Sequence, residues 1–158
     1  MKYRQLALAL FAAALSFSAT AATLSCPDLS AVLQVNACPT EEELKHTYTG
    51  FCSDDAKAYA KETDSCIRYE DYRQMKNQAR WESKDGNFDG YVSCDLAAGK
   101  FTALKPTGMK LVQQGKLTKL VCAYPESINF TYRTKAACAI DNEKACAADA
   151  ANCKATCN

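Results

Sequence analysis

The chain has 158 residues, with 19 basic and 18 acidic side chains and a single histidine. Charges balanced this evenly supply no basic surface for nucleic acid, which needs one, and no uniformly charged face for any other partner. Ten cysteines with no Cys-x-x-Cys spacing also argue against a zinc site and against a thioredoxin-like redox centre.

The N-terminus reads as a secretory signal peptide over residues 1–22. Lys2 and Arg4 precede an apolar run from Leu6 to Leu15, and Ala19-Thr20-Ala21-Ala22 offers small residues for cleavage after Ala21 or Ala22. The run is shorter than the roughly 20 residues of a membrane span, and no second apolar segment follows. The mature chain, 23–158, is therefore expected to carry no membrane span and to form a single domain, periplasmic or secreted. It holds every cysteine: Cys26, Cys38, Cys52, Cys66, Cys94, Cys122, Cys138, Cys146, Cys153 and Cys157. An even number in an exported chain predicts five disulfides, whose pairing spacing alone leaves open.

Asp28 is placed to cap a short run, Leu29 to Leu33, that Asn36 and Cys38-Pro39 end. Thr40-Glu41-Glu42-Glu43 is a capping box, in which hydroxyl and carboxylate satisfy each other's free amides, so a helix follows to about Lys45. Ser53-Asp54-Asp55 is a second helix start. From there to Arg80 the chain has no glycine or proline, and it ends basic with Arg73, Lys76 and Arg80. Ala56, Tyr59, Thr63, Cys66, Tyr69, Tyr72 and Met75 form a stripe expected to lie on a sheet, or else to line a ligand groove. Its three-residue steps drift, which predicts a bend or restart near Asp64.

Residues 88–135 look like one hairpin written twice. The first copy is Tyr91 to Cys94 followed by Gly99 to Lys105. The second is Lys119 to Tyr124 followed by Asn129 to Arg133. Met109 to Val112 is an extra strand candidate. Cys94 and Cys122 hold equivalent places, which predicts that they lie on strands, paired with each other or each tied to a covering helix. Beyond Thr134, nine alanines between Ala136 and Ala155 predict helix. Cysteines at i and i+4 of one helix do not pair easily. The tail is thus expected to break near Asp141-Asn142 into two helices, or to bridge to the N-terminal half.

Chemistry is signalled weakly. Asp85-x-Asn87-x-Asp89-Gly90 follows the opening of a calcium loop, where hard oxygens ring the ion and glycine turns the chain. The bidentate glutamate is missing, since Leu96 stands at the twelfth position, and the same residues suit a tight turn. His46 is the only imidazole open to a hydrolase, and there is no Gly-x-Ser-x-Gly.

The run Ala37-Cys38-Pro39-Thr40-Glu41-Glu42-Glu43-Leu44-Lys45, with Trp81, Phe101-Thr102-Ala103 and Leu120-Val121-Cys122-Ala123-Tyr124, resembles a family of small exported proteins of intracellular gammaproteobacteria, a domain of unknown function. The resemblance spans about Cys38 to Tyr132 and implies an exported α+β domain, with no activity or site attached.

The expected fold is thus α+β: an antiparallel sheet of four to five strands covered by helices and stapled by disulfides. The expected function is that of a non-enzymatic exported binding protein, monomeric, with a protein partner. The alternatives are a small secreted hydrolase using carboxylates or His46, and a module that binds calcium, the one cofactor considered, through Asp85, Asn87 and Asp89.

Overall fold

The computed structural model describes residues 21–53 and 64–158. The signal-peptide reading up to residue 20, and Ala56, Tyr59 and Thr63 of the tyrosine stripe, lie outside them. In chain order the elements are β1 (Ala22–Ser25), a 3-10 turn (Leu29–Ala31), β2 (Leu33–Gln34), α1 (Glu41–Cys52), α2 (Asp64–Ile67), α3 (Tyr69–Lys76), β3 (Gln78–Glu82) and β4 (Asp89–Ser93). They continue with α4 (Ala98–Phe101), β5 (Gly108–Gln114), β6 (Leu117–Ala123), β7 (Asn129–Thr134), β8 (Cys138–Ile140), α5 (Glu143–Ala148), a second 3-10 turn (Ala150–Asn152) and β9 (Lys154–Cys157).

Two antiparallel sheets result. The large one has six strands in the order β2-β3-β4-β7-β6-β5, and the small one has three in the order β1-β9-β8. Because side chains alternate along a strand and directly paired residues share a face, the register fixes an inner and an outer side of the large sheet. Met109 pairs with Cys122, Cys122 with Phe130, Phe130 with Gly90 and Gly90 with Trp81, all facing inward. Against them pack Leu24, Leu29 and Val32 from the N-terminal segment, Phe101 from α4, and Cys146, Ala150, Cys153, Ala155 and Cys157 from the C-terminal tail. The N-terminal segment is clipped down by the Cys26–Cys122 disulfide and by the buried Tyr124 hydroxyl, which donates to the Pro27 carbonyl at 2.5 Å.

The α+β class and the disulfide-rich character are as expected, but four or five strands become nine in two sheets. The second hairpin copy is β6–β7. The first is not a hairpin: its Phe-Thr half forms α4, and Phe101 plugs the core against Trp81 and Phe130, with ring centroids 4.9 and 6.4 Å apart. The partner of β4 is instead β3, in a stretch read as the end of a helix. That segment breaks at Arg68, whose backbone is extended at φ −135° and ψ 145°, with α3 ending at Lys76.

The covering layer also differs from the expectation. Helices α1 and α3 pack on each other rather than across the sheet: Tyr48 meets Tyr69 and Tyr72 at 5.4 and 5.2 Å, and Leu44 and Tyr72 are buried outside the main core cluster. Tyr69 and Tyr72 of the tyrosine stripe therefore face α1. The alanine-rich tail is strand, helix and strand, because Asn142 caps α5 by accepting the Ala145 amide, and the four cysteines bridge among themselves.

All five disulfides form: Cys26–Cys122, Cys38–Cys94, Cys52–Cys66, Cys138–Cys157 and Cys146–Cys153. Cys122 lies on β6 and Cys94 just beyond β4, and they pair neither with each other nor with a covering helix. Five bridges suit a chain that folds in an oxidising compartment, as an exported protein does. Among the described residues no helix is long and apolar enough to cross a membrane.

Candidate functional site

The outer face of the large sheet is uncovered. Along β3 to β7 none of its side chains is buried. Tyr91 is 59% exposed at its centre, Leu33 63% at one side and Val112 40% at the other. Between them runs a chain of ion pairs. Arg80 reaches Glu82 at 2.7 Å, and Asp89 takes Arg133 on one oxygen and faces Arg80 on the other. The buried Arg80 Nε lies 3.4 Å from Asp89 Oδ2, close enough for an ion pair but without hydrogen-bond geometry. Toward β5 the pattern changes. Lys119 sits directly opposite Arg133, and neither Lys119 nor Lys110 has a carboxylate at ion-pair distance among the described residues. Like charges opposed across strands oppose the pairing.

A cleft of about 610 Å³ opens where the N-terminal segment passes the β3–β4 turn, lined among others by Leu24, Pro27, Asp28, Ser83, Lys84, Asp85, Asn87 and Phe88. This is a size that holds small ligands elsewhere. It contains two residues of the calcium-loop reading, each engaged in the turn. The Asp85 carboxylate accepts from the Ser83 hydroxyl at 2.6 Å and from the Asn87 amide and side chain at 3.1 and 2.7 Å. Gly86 closes the turn at φ +71°. Asp89 carries the arginines of the outer face. The glycine of the motif, Gly90, serves close packing: a Cβ there would stand 2.5 Å from the Asn129 carbonyl and 3.1 Å from the Phe130 ring. Among the described residues no three His, Cys, Asp or Glu side chains gather as metal ligands would.

The Ser83 hydroxyl and the Asn87 amide hold the Asp85 carboxyl below its ordinary range, and the Ser30 amide and hydroxyl do the same for Asp28. Two carboxylates both biased toward the charged form do not make an acid and base pair, which requires one pKa to be raised. His46 is exposed on α1 and bonds to no described residue.

A third cluster joins the helices to the sheet. Arg73 binds Asp95 through two nitrogens at 2.9 and 3.0 Å and Glu41 at 3.2 Å, while Tyr69 donates to Glu41 at 2.8 Å and Asn77 to Asp95 at 3.0 Å. Arg73 lowers the Asp95 carboxyl pKa, and Tyr69 leads in lowering that of Glu41. Every group here is satisfied by another, which suits a clamp.

Sequence reasoning put the chemical weight on Asp85, Asn87 and Asp89 and missed the outer face. Its signal was available in Lys119, Val121, Thr131 and Arg133, the alternate positions of the β6–β7 hairpin, whose mixed polarity marks a face turned to water. Comparisons with protein-family models, with curated proteins and with solved structures find no match.

Proposed function

We propose that the protein is an exported, disulfide-stapled binding protein without a catalytic role, and that a protein partner docks on the outer face of the large sheet. The observation that carries this reading is the uncovered face itself. An aromatic ring and aliphatic side chains stand exposed between arginines on a rigid antiparallel scaffold, the residue types that anchor protein interfaces. His46, which bonds to no described residue, and the two carboxylates of lowered pKa favour no hydrolytic reading. The calcium reading would require Asp85 and Asp89 to surrender the bonds they make.

A photoreactive phenylalanine analogue tests this at position 91, with position 84 at the cleft as control. A protein adduct from 91 and none from 84, lost when Arg133 is replaced by Glu, is the expected result. Adducts from 84 with none from 91 would move the site to the cleft, and a silent outer face would overturn the reading.

A further inference from the structure

The large sheet ends at β5. Its second edge is paired with no strand, and no hydrogen bond from another segment covers Gly108 to Gln114 on that side among the described residues. A row of free amides and carbonyls is a template for one more strand, and such edges are a standard way of capturing an extended peptide.

Two further observations define what the edge would accept. On the outer face, its nearest side chains are Lys110 and Val112, with Lys119 one strand behind. Among the described residues neither lysine has a carboxylate at ion-pair distance, and Lys119 is opposed by Arg133. Negative charge brought alongside β5 would answer both cations and relieve the like-charge opposition. On the inner face, two hollows lie along the same strand. One of about 270 Å³ borders Gly108, Met109 and Ile140 with Glu143 at its wall, and one of about 350 Å³ borders Leu111, Gln113 and Ala136 with Lys135 at its wall. An added strand points alternate side chains to opposite faces. Its inward set would therefore enter the hollows while its outward set met the lysines.

We propose that the free edge of β5 receives an extended acidic segment of a partner protein as a seventh strand, with carboxylates toward Lys110 and Lys119 and small apolar side chains in the two hollows. This rests on the reading of the chain as a binding protein, and it concerns the edge rather than the centre of the outer face.

The test uses the intact, oxidised protein and three capped eight-residue peptides. One alternates Glu with Val, one alternates Lys with Val, and one repeats the Glu/Val sequence with alternate backbone amides methylated. Affinity is measured by calorimetry, and amide exchange is read over residues 108–114. The Glu/Val peptide is expected to bind, slow exchange there about tenfold or more, and weaken about tenfold in a Lys110→Glu variant. The Lys/Val and methylated peptides are expected to bind at least about tenfold less well. Equal binding by the methylated peptide would show side-chain attraction without strand addition and overturn the proposal. So would equal binding by the Lys/Val peptide, or no saturation at roughly millimolar Glu/Val peptide. Edge protection that rises with protein concentration alone would assign the edge to a second copy of the chain, which also overturns it. The peptides leave the protein unaltered, so no folding defect can produce these outcomes. Photocrosslinking at position 91 remains an independent measure of the broader reading.

Discussion

On the inner side of the large sheet Leu120, Cys122 and Phe130 are fully buried, while one residue along the same strands Val121, Thr131 and Lys119 stay partly in water. The two faces share every backbone hydrogen bond and differ only in what lies over them. The inner face gained its cover from the chain's two ends, held there by a disulfide and a tyrosine hydroxyl. The outer face is a layer short of the usual two-sided packing, which an antiparallel sheet tolerates because its polar alternation lets one side face water. Stability is therefore expected to be concentrated on one side of the sheet and recognition on the other.

The sharpest way to break this comparison is to remove the inner clip. Replacing Cys26 and Cys122 by Ala opens a bridge between residues 96 apart in sequence. Chain-entropy reasoning assigns about 4–5 kcal/mol to a loop of that length, so the urea midpoint should fall further than for any other single bridge. Next in size is Gly90→Ala. The new methyl would meet the Asn129 carbonyl, which belongs to the strand itself and cannot swing aside. A loss of about 1–3 kcal/mol is expected by denaturation. The smallest effect belongs to the outer face: Tyr91→Ala should change stability by no more than about 0.5 kcal/mol. A large loss at Tyr91 would mean that the outer face also holds the fold together, and the contrast between the faces would dissolve.

What could be read from the residues follows the strength of local signals. Thr40 and Glu43 form their capping box, with bonds of 3.2 and 2.7 Å in the two directions. The β6–β7 hairpin was legible because both strands are rich in Val, Leu, Phe, Tyr and Thr and a turn separates them, although only β7 alternates and Leu120 to Ala123 is a continuous apolar run. Strand β3 was not, because Gln78-Ala79-Arg80-Trp81-Glu82 follows a run of helix formers and contains no β-branched residue; its pairing with β4 decides its state. Phe101 misled for the opposite reason. A Phe-Thr pair reads as strand, yet Phe101 and Leu104 are three apart and both turn to the core, a helical spacing set by the hole beside Trp81. In the tail, alanine propensity yielded to two local bridges and to the pairing of β9 between β1 and β8.

The outer face was hidden for a different reason. Individual residues showed its polarity, but the opposition of Lys119 and Arg133 exists only once the register is set. The Asp85 motif stood out because calcium loops and tight turns use the same vocabulary of Asp, Asn and Gly. In this chain the Asp85 carboxylate closes the turn on Ser83 and Asn87.

The small sheet joins Ala22–Ser25 to Lys154–Cys157, so its middle strand is the last to be made and one of its edges is the first. A chain threaded through a membrane from its N-terminus would present Leu24 and an unpaired Cys26 thiol long before Cys122, and then β9, arrive to receive them. Of the three short bridges, closing across 14, 19 and 7 positions, Cys52–Cys66 can close before Cys122 emerges, while Cys138–Cys157 and Cys146–Cys153 follow it. The long clip must wait. For as long as it waits, Cys26 is a free thiol that Cys38, Cys52, Cys66 and Cys94 can meet before Cys122 does, and the order in which oxidation proceeds, rather than the depth of the finished energy well, governs how much chain reaches the native pairing.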